Sequence, residues 1–238
     1  AAHAFGNTYQ GRMIGNFGDA EVFSFHATKF FNTFEGGAVV TNDDELAATV
    51  RLMKNFGFAG TDNVTYVGTN GKMNEVSAAM GLTSLESLDS VIETNCRNYH
   101  QYLDELGDVP GVRLVRYDEG ERCNYQYIIL EVDAACAGIS RDRLVDLLWA
   151  ENVRARRYFF PGVHRMEPYR SHFPHAGLLL PETEALTERV MSLPTGTAVD
   201  SDDIRRICEI IRFAVANRAE LTSALKAREA AATPSTVV

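Results

Sequence analysis

Phe23-Ser24-Phe25-His26-Ala27-Thr28-Lys29-Phe30-Phe31-Asn32-Thr33-Phe34-Glu35-Gly36-Gly37 is the stretch that decides how this chain is read. Glu21 to Phe25 alternates and is rich in β-branched and aromatic residues, so it predicts a short strand. The small polar residues after it predict a turn, and Lys29 stands where strand gives way to turn. A lysine held beside apolar residues is desolvated, which disfavours its charged form and leaves a neutral amine. Such an amine can form a Schiff base with a carbonyl compound. Taken alone, Lys29 reads first as a surface lysine whose side chain reaches into water, and only its neighbours change that.

Outward from this stretch the pattern predicts alternating elements. Ala38-Val39-Val40-Thr41 predicts a second, buried strand. Asp43 and Asp44 open a helix with Leu46, Val50 and Met53 on one face, ended by Gly57. Residues 58–71 are rich in Gly, Asn and Thr and predict a functional or interface loop. Asn74 or Ser77 caps a long helix. Its stripe of Val76, Met80, Leu85, Leu88 and Ile92 continues through Tyr99, Leu103 and Leu106 to Gly107, and Ala78, Ala79 and Gly81 allow close packing. Beyond Pro110-Gly111 the pattern predicts a small α+β domain with helices on one face of a sheet. Its strands are expected at Val112–Val115, Tyr125–Val132 and Val153–Tyr158. Its helices are expected after Ser140, from Pro181 to Ser192, and after Asp200-Ser201 with Ile204, Cys208, Ile211 and Val215 inward. Ala230 to Val238 reads as a disordered tail.

Composition narrows the function. The 238 residues carry a net charge of −9, which argues against binding a nucleic-acid backbone. The sequence has no run of 18 apolar residues and shows no leader peptide, so a cytoplasmic protein without a membrane span is expected. Cys96, Cys123, Cys136 and Cys208 are widely spaced and form no Cys-x-x-Cys, which fits reduced thiols. His172 and His175 flank Pro174 and do not share a helix face, so no metal site is expected. Dinucleotide, Walker and nucleophile-elbow motifs do not occur.

Three blocks occur in order: Ala2-His3-Ala4-Phe5-Gly6 through Phe23–Lys29 to Glu35-Gly36-Gly37; Gly68-Thr69-Asn70-Gly71-Lys72-Met73-Asn74-Glu75; and Ala155-Arg156-Arg157-Tyr158-Phe159-Phe160-Pro161-Gly162-Val163-His164, ending at Pro168-Tyr169. Together they resemble the DegT/DnrJ/EryC1/StrS sugar aminotransferases. The resemblance implies an α/β chain of fold-type I, the pyridoxal phosphate-dependent transferase fold like that of aspartate aminotransferase. Residues 1–95 would be the C-terminal part of the large cofactor domain and residues 96–229 the small α+β domain. It also implies that this chain matches the C-terminal two-thirds of such an enzyme. The family's aspartate for the cofactor ring nitrogen and its phosphate-binding turn would precede Ala1.

The resemblance assigns roles residue by residue. Lys29 would carry pyridoxal 5'-phosphate as a Schiff base and move protons on the adduct. Ser24 would bind the cofactor phosphate, and His3 would pack against the cofactor ring. Asn70 would reach the phosphate of a neighbouring subunit, so a homodimer with shared sites is implied. Tyr158, His164 and Arg157, with Arg156, would face a nucleotide-linked keto-sugar, whose diphosphate suits guanidinium partners. Lysine at position 29, rather than the histidine of related dehydratases, implies transamination. The amine would pass from an amino acid, glutamate first, through pyridoxamine phosphate to a keto-deoxysugar, at the 4-keto rather than the 3-keto position. Antibiotic-sugar and surface-polysaccharide biosynthesis both fit. The other reading is a non-catalytic binding or assembly module of this fold, or an inactive fragment of it.

Overall fold

The structure, a computed structural model, describes residues 1–221, 223 and 224; the expected tail at 230–238 lies outside the described residues. The chain divides into two compact units. One comprises Ala1–Cys96 with Tyr117–Gln126; the other comprises Arg97–Arg116 with the described residues from Tyr127 onward. The return of Tyr117–Gln126 to the first unit has no counterpart in the sequence pattern.

The first unit opens with two short antiparallel pairs. Strands β1 (Thr8–Tyr9) and β2 (Arg12–Met13) form one, and β3 (Glu21–Ser24) and β4 (Gly37–Val40) form the other. Phe23 of β3 points into an aromatic cluster with Phe25 and Phe31, against which Phe5 packs. Phe5 stacks on Phe31 at 4.5 Å between centroids and meets Phe23 and Phe25 edge-on at 5.4 and 5.3 Å. Each such pair adds about 0.5–1.5 kcal/mol beyond its buried area. The expectation of a buried second strand is corrected, because β4 is only half covered. Val22 and Val39 face each other in register and are 57% and 48% exposed.

Helix α1 (Asp44–Met53) begins as the sequence predicts, with the Asp43 carboxylate accepting from the amides of Glu45 and Leu46. After it, residues 55–70 are closed by bridges between Asn55 and Asn70 and between Phe58 and Val64. Helix α2 (Glu75–Glu86) is capped by Asn74. The single long helix expected from the apolar stripe is broken. Ser87 leaves the ladder and its hydroxyl donates to the Ser84 carbonyl, after which α3 (Leu88–Leu106) begins. The stripe is not one buried face either: Val76 and Leu85 are exposed, and α2 buries Ser77 and Gly81 instead. A Cβ at Gly81 would lie 2.8 Å from the Thr33 methyl, so only glycine permits that approach.

The second unit holds a three-stranded antiparallel sheet with β6 central, made of β5 (Val112–Leu114), β6 (Ile128–Val132) and β7 (Val190–Leu193). Val112, Leu114, Ile128, Leu130, Val132, Met191 and Leu193 share its buried face. Arg113 and Glu131 pair on the other face. Between β6 and β7 come a short helix α4 (Ala134–Ala137), then α5 (Arg141–Ala150) capped by Ser140, and the short α6 (Tyr169–His172) and α7 (Pro181–Arg189). Helix α8 (Ser201–Ala216) follows β7 with a capping box between Asp200 and Asp203 and buries Ile204, Cys208, Ile211 and Val215. Two expectations are corrected here. Residues 153–158 form no strand but a single bridge, in which Arg156 and Ser192 exchange backbone hydrogen bonds. The third strand is β7, at the end of the segment expected to be helical to Ser192, because pairing with β6 overrides the helical spacing.

Candidate active site

Lys29 occupies the turn that leaves β3, and its amide donates to the His26 carbonyl at 2.9 Å. The turn is held from both sides. The Phe25 amide donates to Gly36, the Thr33 amide donates to Phe25, and Phe25 and Phe31 are both buried. With those two rings buried, Lys29 is left half-buried on the turn. Its Nζ lies 3.3 Å from Nδ1 of His3. The structure thus brings together two candidates that are 26 positions apart. Burial first, then the charge of Lys29, holds His3 below the usual histidine value. Ser24, at the end of β3, accepts weakly from the His26 amide at 3.5 Å, which leaves its hydroxyl proton for another acceptor. Asn70 lies elsewhere in the same unit, bridged to Asn55 just past the end of α1.

The second group of candidates belongs to the second unit. Tyr158 and His164 line one cavity of about 740 Å³ with Phe159, Val163, Tyr169 and Phe173. The Tyr158 hydroxyl donates to that of Tyr127 at 2.8 Å. Nε2 of His164 is 2.5 Å from Glu184, which also accepts from Arg165. The Arg165 and His164 hydrogen bonds lower the Glu184 carboxyl to about 2. Arg157 is turned away from the cavity onto α5, where it donates to Asp142 at 2.6 Å and to Asp146 at 2.5 Å. Burial raises the Asp142 carboxyl, but hydrogen bonds from Arg157 and Arg141 outweigh this and leave it below the ordinary range.

The sequence reading missed Asn124 and Gln126, which are 2% and 8% exposed and bond to the His3 segment. The signal present was two amides at alternate positions just before an apolar strand, where a buried polar group requires a partner. Glu184 was missed as well, since its partners lie about 20 positions away. No disulfide joins the four cysteines. Among the described residues there is no cluster of His, Cys, Asp and Glu that could hold a metal, and no helix is long and apolar enough to cross a membrane.

With this lysine at the turn after β3, the chain has the mixed α/β architecture of the fold-type I, pyridoxal phosphate-dependent transferases. Residues 1–212 match the DegT/DnrJ/EryC1/StrS aminotransferase family, and the chain belongs to it. It is 35% identical over 214 residues to the dTDP-4-amino-4,6-dideoxy-D-glucose transaminase of Shigella dysenteriae, covering 89% of this chain and 57% of that protein. It is 32% identical to the spore coat polysaccharide biosynthesis protein SpsC of Bacillus subtilis strain 168, covering 89% and 58%. Among solved structures, DesI in the presence of its TDP-sugar product superposes with a TM-score of 0.87 at 51% identity, covering 95% of this chain and 57% of that one. The chain therefore spans a little over half the length of these relatives.

Proposed function

We propose that this chain carries the catalytic lysine and the small domain of a pyridoxal phosphate-dependent sugar aminotransferase. The observation that carries the reading is the Lys29 amine set 3.3 Å from His3 on the turn after β3, inside the family-matched region. In this reading the first unit is the C-terminal part of the cofactor domain and the second unit is the small domain.

The residues present fit the cofactor. Lys29 offers an amine for its aldehyde, Ser24 a hydroxyl for its phosphate, and His3 a flat ring beside that amine. Pyridoxal phosphate, when bound, supplies the electron sink that lets a bond at the amine-bearing carbon break heterolytically. The Lys29 amine takes and returns the proton at that carbon, as a general base and acid on a flexible stem. Tyr158 and His164 bind the sugar nucleotide in the apolar cavity, and Glu184 orients His164. Arg157 serves as a support of the 157–164 segment through Asp142 and Asp146, with the diphosphate left to other donors.

The amino donor is an amino acid, glutamate first. The acceptor is a nucleotide-linked deoxysugar with a ketone at C4. The name of the Shigella relative, a dTDP-4-amino-4,6-dideoxy-D-glucose transaminase, supports C4, and the similarity to DesI, whose product is a TDP-sugar, supports the nucleotide. The enzyme acts in the cytoplasm, in amino-sugar biosynthesis, as a homodimer in which Asn70 completes the partner's site. Phe56, Val64, Tyr66 and Val67 are exposed apolar side chains near Asn70 in sequence and support such an interface.

Lys29 is one of four lysines, so the test is direct. The protein is incubated with pyridoxal phosphate, reduced with borohydride and mapped by peptide mass. A pyridoxyl label on Lys29, lost in Lys29→Ala, is the expected result. A label confined to Lys54, Lys72 or Lys226 would overturn the assignment. A folded protein with no label would favour the non-catalytic module or an inactive fragment, which the same labelling of a longer chain carrying the preceding segment separates.

A further inference from the structure

Nδ1 of His3 is approached by two side chains, each at 3.3 Å: Nζ of Lys29 and Nε2 of Gln126. The orientation of the Gln126 amide is fixed by its other end, where Oε1 accepts from the Phe30 amide at 3.4 Å. Flipping the amide would set its NH2 against the Phe30 N–H, donor against donor. The NH2 group therefore faces the imidazole, and an amide NH2 donates only. Nδ1 must then be the acceptor, which requires the neutral ring with its proton on Nε2.

We propose that Gln126 is a positioning residue: its amide fixes His3 in the Nε2–H tautomer, so that the imidazole presents a lone pair, and not a proton, to the Lys29 amine. The proposal rests on the reading of Lys29 and His3 as the cofactor site. It assigns a direction to the contact. Lys29 donates to His3, and the hydrogen bond orients the lysine nitrogen while it is protonated. His3 cannot hand a proton to Lys29 from Nδ1, so it holds the amine without competing as an acid.

Gln126 is itself held rigidly. It is buried, and its own amide donates to Oδ1 of Asn124 at 3.0 Å. Asn124 donates to the carbonyls of His3 and Phe5 at 2.9 and 3.0 Å, and its own carbonyl accepts from the buried Asn95 at 3.1 Å. Asn124 therefore grips the backbone of His3 while Gln126 grips the ring. Both come from the segment Tyr117–Gln126, which belongs to the first unit although it lies far along the chain. The charged side chain against His3 is that of Lys29, and it acts against protonation of the ring.

The experiment reads the tautomer, not turnover. The chain is labelled with 15N-histidine, and His3 is assigned by loss of its signals in His3→Gln. Above the titration of His3, the unmodified chain is expected to show Nδ1 bare and Nε2 protonated. Gln126→Glu keeps the shape and the bond from Phe30 but turns the facing donor into an acceptor. It is expected to protonate Nδ1 and raise the His3 pKa by about one unit or more. Gln126→Ala is expected to leave a mixture of tautomers. Lys29→Ala is expected to keep Nδ1 bare, since Gln126 remains. A protonated Nδ1 in the unmodified chain overturns the proposal even if no variant folds, and so does a tautomer indifferent to Gln126→Glu and Gln126→Ala. Absence of borohydride-trapped label on Lys29 alongside the expected tautomer would instead remove the cofactor reading and leave the geometry of His3 standing.

Discussion

At the scale of single residues, His164, which lines the cavity of the second unit, is held by Glu184. Its carboxylate accepts from His164 and from Arg165, and its pKa in the fold is about 2 against an ordinary 4.5. A depressed carboxylate stabilises the fold at pH above 4.5, and that contribution is lost as pH falls toward 2. Glu184→Gln has no such titration. Thermal midpoints measured from pH 6 down to about pH 2 should fall less steeply for Glu184→Gln than for the parent protein. Parallel curves would show that the pair adds nothing across this range. Asp142 has a second such role. It accepts from both Arg157 and Arg141, and the Arg141 side chain is fully buried with one nitrogen, Nη2, lacking any partner among the described residues. Asp142→Asn weakens the acceptor of a buried cation and is expected to cost about 2 kcal/mol in urea unfolding. A loss under about 0.5 kcal/mol would mean that the Val190 carbonyl, the other acceptor of Arg141, suffices for it.

At the scale of elements, the approach of α2 to the turn segment depends on one missing methyl. Gly81 in a helix interior is worth about 1 kcal/mol less than alanine on propensity alone. The Cβ of alanine would nevertheless meet the Thr33 methyl at 2.8 Å, and Thr33 is buried and held by its hydroxyl bond to the Glu35 carbonyl. Gly81→Ala should therefore destabilise despite its better propensity. Adding Thr33→Ser, which keeps the hydroxyl and removes the methyl, should restore stability beyond that of Thr33→Ser alone. A double-mutant cycle in urea measures this coupling, expected at about 1 kcal/mol or more. Additive effects would show that the helix shifts freely.

The same elements show what the sequence could carry. Asp43, Asn74, Ser140 and Asp200 are caps in the structure, because a capping side chain bonds amides two or three residues away. The turn at Lys29 was legible for the same reason. Strand β7 was not, because no glycine or proline separates Arg189 from Val190 and only its pairing with β6 makes it a strand. The break at Ser87 hides in an otherwise continuous apolar stripe. Gln126 lies 123 positions from the ring it touches, and no local pattern encodes a contact of that separation.

At the scale of the whole molecule, the proposed homodimer makes a claim that no single chain can satisfy. If Asn70 serves the partner's cofactor, Lys29 and Asn70 of one active site come from different chains. Asn70→Ala should weaken cofactor retention at least about tenfold, the worth of a hydrogen bond to a charged group, and Lys29→Ala should abolish labelling. A mixed dimer of these two variants has one site with both defects. Its other site combines Lys29 from the Asn70→Ala chain with Asn70 from the Lys29→Ala chain and is intact. At a cofactor concentration too low to label the Asn70→Ala homodimer, equal random mixing should thus return label to about one quarter of all sites, all of it on the Asn70→Ala chain, which its mass identifies. Val67 is 92% exposed in the loop that carries Asn70. If that loop forms the interface, Val67→Asp should shift sedimentation toward the monomer and prevent the recovery of label. Recovery without a dimer cannot occur in this scheme. A dimer whose mixed form recovers no label would mean that each chain builds its site alone, and Asn70 would then be left as the residue that bridges to Asn55 after α1.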